Sequence, residues 1–509
     1  MFSQAVQGME AGPVEVETDL GRGLPAFTIV GLPDTAVRES RERVRAGMTN
    51  SGYEFPLRRI TVNLAPADTR KEGPAFDLPI ALSLLAASGQ MPRRRLPRYA
   101  AAGELSLDGS VRRINGALAM AEGARRSSQK GLLLPAANAA EASLVEGVEV
   151  IGVESLEQAA SFLAGELELE PLKTDITALV AAGNGGCPDL MDVKGQARAR
   201  RALEVCAAGG HNLLMAGPPG AGKTMLARRL PSILPRVTAD EALEITRIYS
   251  VAGALAEGTS LMVERPFRAP HHSISHAGLV GGGRMPRPGE VSLSHLGVLF
   301  LDELPEFSRL SLEALRQPLE DGLVTVSRAI TSVTYPARFM LVAAMNPCPC
   351  GHLGDRGNRC LCPPEKVNAY QGRVSGPLMD RIDVVVEVPP LSRKELLSSP
   401  SGEGSSEVAP RVLKARRRQS RRLKEEAGLY CNAQMSNRLT ERHCRLEPGA
   451  ASLLEGAIDR LALSARAYQR IMRVARTIAD LDGGEDIAAA HLAEAISYRG
   501  ADRGVGYGG

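Results

Sequence analysis

No apolar run in the 509-residue chain reaches the roughly 18 residues that a membrane-spanning helix needs, so no membrane crossing is expected. The first residues, "MFSQAVQGMEAGPVEVETDL", are acidic and lack a signal-peptide core, which points to the cytoplasm. An excess of one charge sign is also missing. Lys and Arg number 61 against 58 Asp and Glu, a net of +3, so overall charge selects no partner and a nucleic-acid signal has to be local. Cysteine is scarce, at eight residues, yet four of them fall between 348 and 362. In a reducing compartment such clustering points to a metal more than to a disulfide frame.

What remains is ordinary soluble composition, 44% hydrophobic and 23% charged, at a length that suggests about three domains. Strand-like and helix-like segments alternate over 1–170, for example "RRITVNLA" and "FDLPIALSLLAASG", so an α/β domain is expected there. Residues 171–186 read as a linker. A second α/β domain is expected over 187–390. The Ser/Gly/Pro-rich stretch 391–410 reads as a flexible connection, and 411–509 reads as helical with a Gly-rich tail.

"HNLLMAGPPGAGKTMLARRL" contains Gly217, Pro218, Pro219, Gly220, Ala221, Gly222, Lys223 and Thr224 in the order G-x-x-x-x-G-K-T, with a strand before and a helix after. Glycines let the backbone curl its N–H groups toward phosphates, and the helix N-terminus adds partial positive charge. Lys223 is expected to neutralise the β- and γ-phosphates of ATP, and Thr224 to hold Mg²⁺. Further on, "GVLFLDELPEF" reads as a buried parallel strand with Asp302 and Glu303 at its C-terminal end. Asp302 would support Mg²⁺ indirectly, and Glu303 would activate the attacking water. The alternative is that these acids cap the next helix. "RFMLVAAMN" ends in Asn346, which can orient that water. Arg381, in "SGPLMDRIDVVVEV", can reach a neighbouring subunit's nucleotide or pair internally with Asp383.

This motif order, with "DLMDVKGQARARRALE" before the phosphate loop and "SGPLMDRID" after it, resembles AAA+ ATPases. "RPFRAPHHSISHAGLVGGG", "EALRQPLEDGLVTVSR" and "SARAYQRIMRVARTIADL" narrow the resemblance to the magnesium-chelatase-like group. Within it, residues 1 to about 500 are similar to the bacterial competence-protein family also called YifB. The resemblance implies a P-loop core with a C-terminal helical lid. It also implies a hexameric, ATP-driven DNA motor that promotes branch migration in natural transformation. It assigns Arg466 the role of sensing nucleotide from the lid. The basic stripe of Arg466, Arg470 and Arg473 beside an apolar helix stripe fits that role or a solvated face. A chelatase-type motor that inserts metal or remodels a protein is the rival reading.

Residues 70–125 resemble the Lon protease domain, a relative of the ribosomal S5 domain 2 fold. Ala75 stands where the nucleophilic Ser would be, and the Lys position falls near Leu118, so protease chemistry is not expected.

Two stretches are candidate DNA surfaces. "RVLKARRRQSRRLK", 411–424, holds eight basic residues and no acid, among them Arg416, Arg417, Arg418, Arg421 and Arg422. On a helix they would cover much of the circumference, so simple amphipathic packing is not expected. Full phosphate contact would give a salt slope of about −7. Pairing with a neighbouring subunit's acids is the alternative. No aromatic residues interleave, so base stacking is not indicated. The Gly-rich stretch 267–289 offers Arg268, Arg284 and Arg287 with His271, His272 and His276. It reads as a channel loop or as packing. A metal is disfavoured because no nearby carboxylate completes the histidines. Finally, Cys348, Cys350, Cys360 and Cys362 form two CxC pairs that can make a Cys₄ zinc site, with His352 as a substitute ligand. Reduced structural thiols and redox sensing stay open.

Overall fold

The computed structural model describes residues 1–504, except 184–185, 284–285, 328–331, 355–358, 398–401, 427 and 462. Near the N-terminus seven strands form one sheet, in the order Ala26–Val30, Arg59–Ala65, Glu10–Gly21, Phe2–Gln7, Tyr99–Ala101, Gly131–Pro135, Glu149–Val153. Pairing is antiparallel in the middle of this order and parallel toward both edges. Ala75 and Leu118 are both buried in one apolar cluster.

The second sheet has five strands, all parallel, in the order Phe267–Arg268, Val298–Leu301, Met340–Met345, Leu213–Ala216, Val384–Glu387. The three middle strands are buried at every position, as continuous apolar runs in a doubly covered parallel sheet should be. Alternate residues serve opposite faces. Leu213, Met215, Phe300, Val342 and Val386 join a core with helix Ala197–Gly209 and the C-terminal helices. Leu214, Leu299, Leu301, Leu341 and Val385 join the core beneath the other face. A mixed α/β architecture with a parallel sheet is thus present.

The two sheets are bridged through helix Ala239–Ala252, which packs on helix Ala117–Arg126 in a shared apolar cluster. Gly116 N–H donates to the Ser250 carbonyl (3.1 Å), and Arg247 pairs with Glu122. Buried Glu141 accepts from the Leu118 N–H (3.1 Å) and from the Ser250 hydroxyl.

Both expected linkers contain ordered structure. Helix Ile176–Ala182 lays Ile176, Leu179 and Val180 on the bridging cluster. The helix expected to begin near 411 begins at Ser405, because the Ser405 hydroxyl accepts the Leu190 N–H (2.8 Å) and its own N–H donates to Asp189 (2.9 Å). Among the described residues, no helix is long and apolar enough to cross a membrane.

Candidate nucleotide site

The loop after strand Leu213–Ala216 turns through Gly220 and Gly222, both with positive φ (+75° and +91°). Gly217 is required for a different reason: a Cβ there would sit 2.2 Å from the Val388 carbonyl oxygen of the adjoining strand end. The helix that follows, Lys223–Ala227, is only five residues long. A cavity of about 420 Å³ lies over this loop, closed on its far side by Asp302, Glu303 and Asn346 from the ends of two neighbouring strands. Residues from three sequence regions therefore meet at the C-terminal edge of the sheet, where parallel strands leave a crevice.

Lys223 is buried, and its ammonium donates to the carbonyls of Gly217 (2.6 Å) and Pro218 (2.9 Å) and to Asn346 Oδ1 (3.1 Å). Burial lowers its pKa, against the opposing pull of Asp302 and Glu303. The Thr224 hydroxyl donates to Asp302 Oδ2 across 2.6 Å, and Asp302 Oδ1 accepts the Glu303 N–H (3.0 Å). Glu303 takes a left-handed backbone conformation (φ 52°), uncommon for a residue with a Cβ, and this turns its carboxylate out of the strand into the cavity. This donor set fits Mg²⁺ and a triphosphate: a hydroxyl beside a carboxylate, a buried ammonium, and a glycine-rich backbone free of blocking side chains.

One neighbour of Glu303 corrects an expectation. The histidines of 267–289 do have a carboxylate nearby, since His272 Nδ1 lies 3.4 Å from Glu303 Oε2. The His271 ring lies against that of His272, tilted by 35° with 4.0 Å between ring centroids. The register contains the signal. Strand Phe267–Arg268 runs parallel to Val298–Leu301 with Arg268 opposite Leu299, and His272 and Glu303 each lie four residues further on.

Arg381 and Arg466 are brought together, but not over this cavity. They line a second one of about 1150 Å³, between the C-terminal helices and the sheet. Arg381 donates to the carbonyls of Arg316 (3.1 Å) and Pro377 (2.8 Å) and pairs with Glu320, so its internal carboxylate partner is not Asp383. Arg466 is 71% exposed and 3.8 Å from Asp380. It does not line its own chain's phosphate cavity: the helix that carries it, Ala465–Asp482, packs on the turn that holds Arg381 through Arg470, which pairs with Asp380 (3.2 Å).

The candidate DNA residues divide. Helix Ser405–Arg422 is amphipathic after all, burying Val408, Val412, Ala415 and Gln419 at helical spacing. Arg416 is tied to the Ala207 carbonyl (3.0 Å), Arg418 to the Asp480 carbonyl, and Arg422 to the buried Asp480 carboxylate (2.9 Å) and Asn432 (3.0 Å). Arg268 is held by both oxygens of Glu290 (2.6 and 2.7 Å). Arg417 and Arg421 are exposed along the second cavity and pair with no carboxylate among the described residues. Arg284 lies outside the described residues.

The four clustered cysteines converge. Their sulfurs lie within 4.8 Å of one another, and three pairs are 3.4, 3.7 and 3.7 Å apart. A tetrahedral ZnS₄ centre with bonds of about 2.3 Å places its sulfurs roughly 3.8 Å apart, so the thiols fit zinc. His352 is not in this group. Within the cluster the His352 N–H and the Cys348 thiol draw the Cys350 pKa down to about 6, while burial and bonding to Cys350 and Cys348 hold Cys360 and Cys362 up, so one thiolate forms most readily. Gly351 (φ +80°) packs against Pro219, where a Cβ would come 2.4 Å from the proline ring, so the cysteine loop rests on the phosphate loop.

The similarity to known proteins has the same extent. The family described as magnesium chelatase, subunit ChlI, matches residues 189–396; subunit ChlI of Mg-chelatase matches 16–138; and the magnesium chelatase ChlI C-terminal family matches 402–499. YifB of Salmonella typhimurium is 46% identical over 506 residues, covering 99% of this chain and 97% of its own. The competence protein ComM of Haemophilus influenzae is 46% identical over 502 residues, covering 98% of this chain and 97% of its own. The magnesium-chelatase 67 kDa subunit of Chlorobaculum parvum is a distant relative, 26% identical over 42% of this chain and 30% of its own length. The chain belongs to the family of YifB and ComM, and is built from three segments of magnesium-chelatase ChlI type.

Proposed function

We propose that this chain is a cytoplasmic AAA+ ATPase that assembles as a hexameric ring and moves on branched DNA, promoting integration of incoming DNA in natural transformation. One observation carries the ATPase reading: Lys223, Thr224, Asp302, Glu303 and Asn346 share one cavity on the phosphate loop. A second supports the ring. Arg381 and Arg466 line a different cavity from their own phosphate loop, as residues serving a nucleotide held by the next subunit would, and Arg381 would exchange its pairing with Glu320 for that nucleotide. The competence role rests on the 46% identity to a protein named for competence.

In this reading Lys223 neutralises the β- and γ-phosphates of ATP, and Thr224 and Asp302 hold Mg²⁺. The metal, when bound, offsets charge on the phosphate oxygens. Glu303 accepts a proton from the attacking water, and Asn346 orients that water. Arg381 and Arg466 of the adjacent subunit stabilise the transferred phosphoryl group. Arg417 and Arg421 meet DNA phosphates. Cys348, Cys350, Cys360 and Cys362 hold a structural zinc that stiffens the loop resting on Pro219. The N-terminal segment is a Lon-like, S5 domain 2-type fold that serves assembly or DNA guidance. With Ala75 and Leu118 at the two reactive positions, it has no protease chemistry.

The ChlI-type matches over all three segments favour a second reading, a chelatase-type remodeller of a protein or metal-insertion partner. ATP hydrolysis measured with and without forked DNA separates the two. Stimulation by DNA supports the motor, and indifference to DNA at low salt supports the remodeller.

A further inference from the structure

The sequence "GGHN", Gly209 to Asn212, joins helix Ala197–Gly209 to the phosphate-loop strand. Its side chains take part in none of the chemistry above, yet they reach three separate elements. Asn212 Nδ2 donates to the Arg381 carbonyl at 2.8 Å. Asn212 Oδ1 accepts the Leu341 N–H at 2.9 Å, on the strand that ends beside Asn346. The Asn212 backbone closes the same junction: its N–H donates to Asp383 Oδ2 (3.0 Å), and its carbonyl accepts from the N–H groups of Asp383 (3.1 Å) and Val384 (3.0 Å). The stretch from Arg381 to Val384 is therefore fastened to this one residue.

His211 is fully buried and faces the other way. Its Nε2 is 2.8 Å from the Thr477 hydroxyl, on the helix that carries Arg466, and its Nδ1 is 3.6 Å from Asp383. Burial opposes charge on Asp383, but the nearby His211 imidazole and the hydrogen bond from the Asn212 N–H outweigh it and keep the carboxylate pKa low. The glycines exist to permit this junction. A Cβ on Gly209 would fall 2.2 Å from His211 Nε2 and 2.6 Å from Thr477 Oγ1. Gly210 takes a left-handed conformation (φ +72°), which ends the helix and aims His211 inward.

We propose that Asn212 and His211 are positioning residues for the shared active site: Asn212 sets the turn that presents Arg381, and His211 sets the helix that presents Arg466. The inference rests on the reading that these arginines serve the neighbouring subunit. The physical reason for two anchors is geometric. A finger displaced by about 1 Å loses much of its effect on rate, while the nucleotide held by the other subunit is unaffected in binding.

The test uses full-length protein and subunit mixing. Asn212→Ala removes both side-chain bonds, whereas Asn212→Asp keeps an acceptor for Leu341 and loses the donor to Arg381. Both variants, and His211→Ala, should lower kcat for ATP about 10- to 100-fold with KM within about twofold. Each should regain turnover when mixed with Lys223→Ala protein, because its intact phosphate loop then meets an intact finger. Arg381→Ala mixed with Lys223→Ala is the control. If the control fails to recover, the shared-site reading itself falls, and this inference with it. If the control recovers but the Asn212 and His211 mixtures stay at background, these residues support only the fold or their own phosphate site, and the assignment is overturned.

Discussion

Glu303 Oε2 lies 3.4 Å from His272 Nδ1, which gives the proposed base a side-chain neighbour on the adjoining strand end. The imidazole also packs edge-on against Phe307, 6.4 Å between ring centroids, so it is a fixed stop for the carboxylate. His272→Ala is expected to lower kcat for ATP about tenfold with KM nearly unchanged, because the base loses its orientation and keeps its chemistry. Glu303→Gln, which removes the base, should cost at least about 100-fold. Steady-state hydrolysis across ATP concentrations reads both.

Arg381 and Arg466 share a cavity that excludes their own phosphate loop. Arg381→Ala should therefore bind ATP normally and hydrolyse it about 10³-fold more slowly. A mixture with Lys223→Ala should exceed either protein alone, since some interfaces then pair an intact loop with an intact finger. Equal inactivity at every mixing ratio, in rings shown to be mixed, assigns Arg381 to its own subunit.

The phosphate loop was legible because its chemistry is local: spacing, glycines and flanking elements all fall within about twenty residues. Asp302, Glu303 and Asn346 were legible because a parallel strand delivers its last residue to one edge of the sheet. The pairing of Arg422 was not legible because its partner, Asp480, is 58 residues away and buried, and composition records neither fact. Which cavity Arg466 lines was not legible, because helix packing, not local pattern, decides which side of the core the C-terminal helices cover. The role of Asn212 left no compositional trace, since every bond it makes is to a distant segment.

The two kinds of arginine on helix Ser405–Arg422 should behave differently. Arg417→Gln with Arg421→Gln should weaken DNA binding and reduce the salt slope by about 2, leaving the melting temperature and DNA-independent hydrolysis unchanged. Arg422→Gln should instead destabilise the fold by about 1–2 kcal/mol, because buried Asp480 loses one of its two arginine partners and keeps Arg476 (3.1 Å) and Asn432 (2.8 Å). Thermal melts alongside a binding titration in varied salt distinguish them.

The sulfur geometry predicts about one zinc per chain by elemental analysis. Cys348→Ser with Cys360→Ser should lose the metal and weaken ring assembly more than nucleotide binding. Wild-type protein that is metal-free and fully active would make the cluster ordinary thiols.

The central claim is ATP-driven movement on branched DNA, and a synthetic Holliday junction tests it most directly. Wild-type protein should convert the junction into separated duplexes only with hydrolysable ATP. Glu303→Gln should bind ATP, assemble and hold the junction without converting it. Ring-forming wild-type protein that neither binds forked DNA nor hydrolyses ATP faster in its presence at low salt would contradict the account.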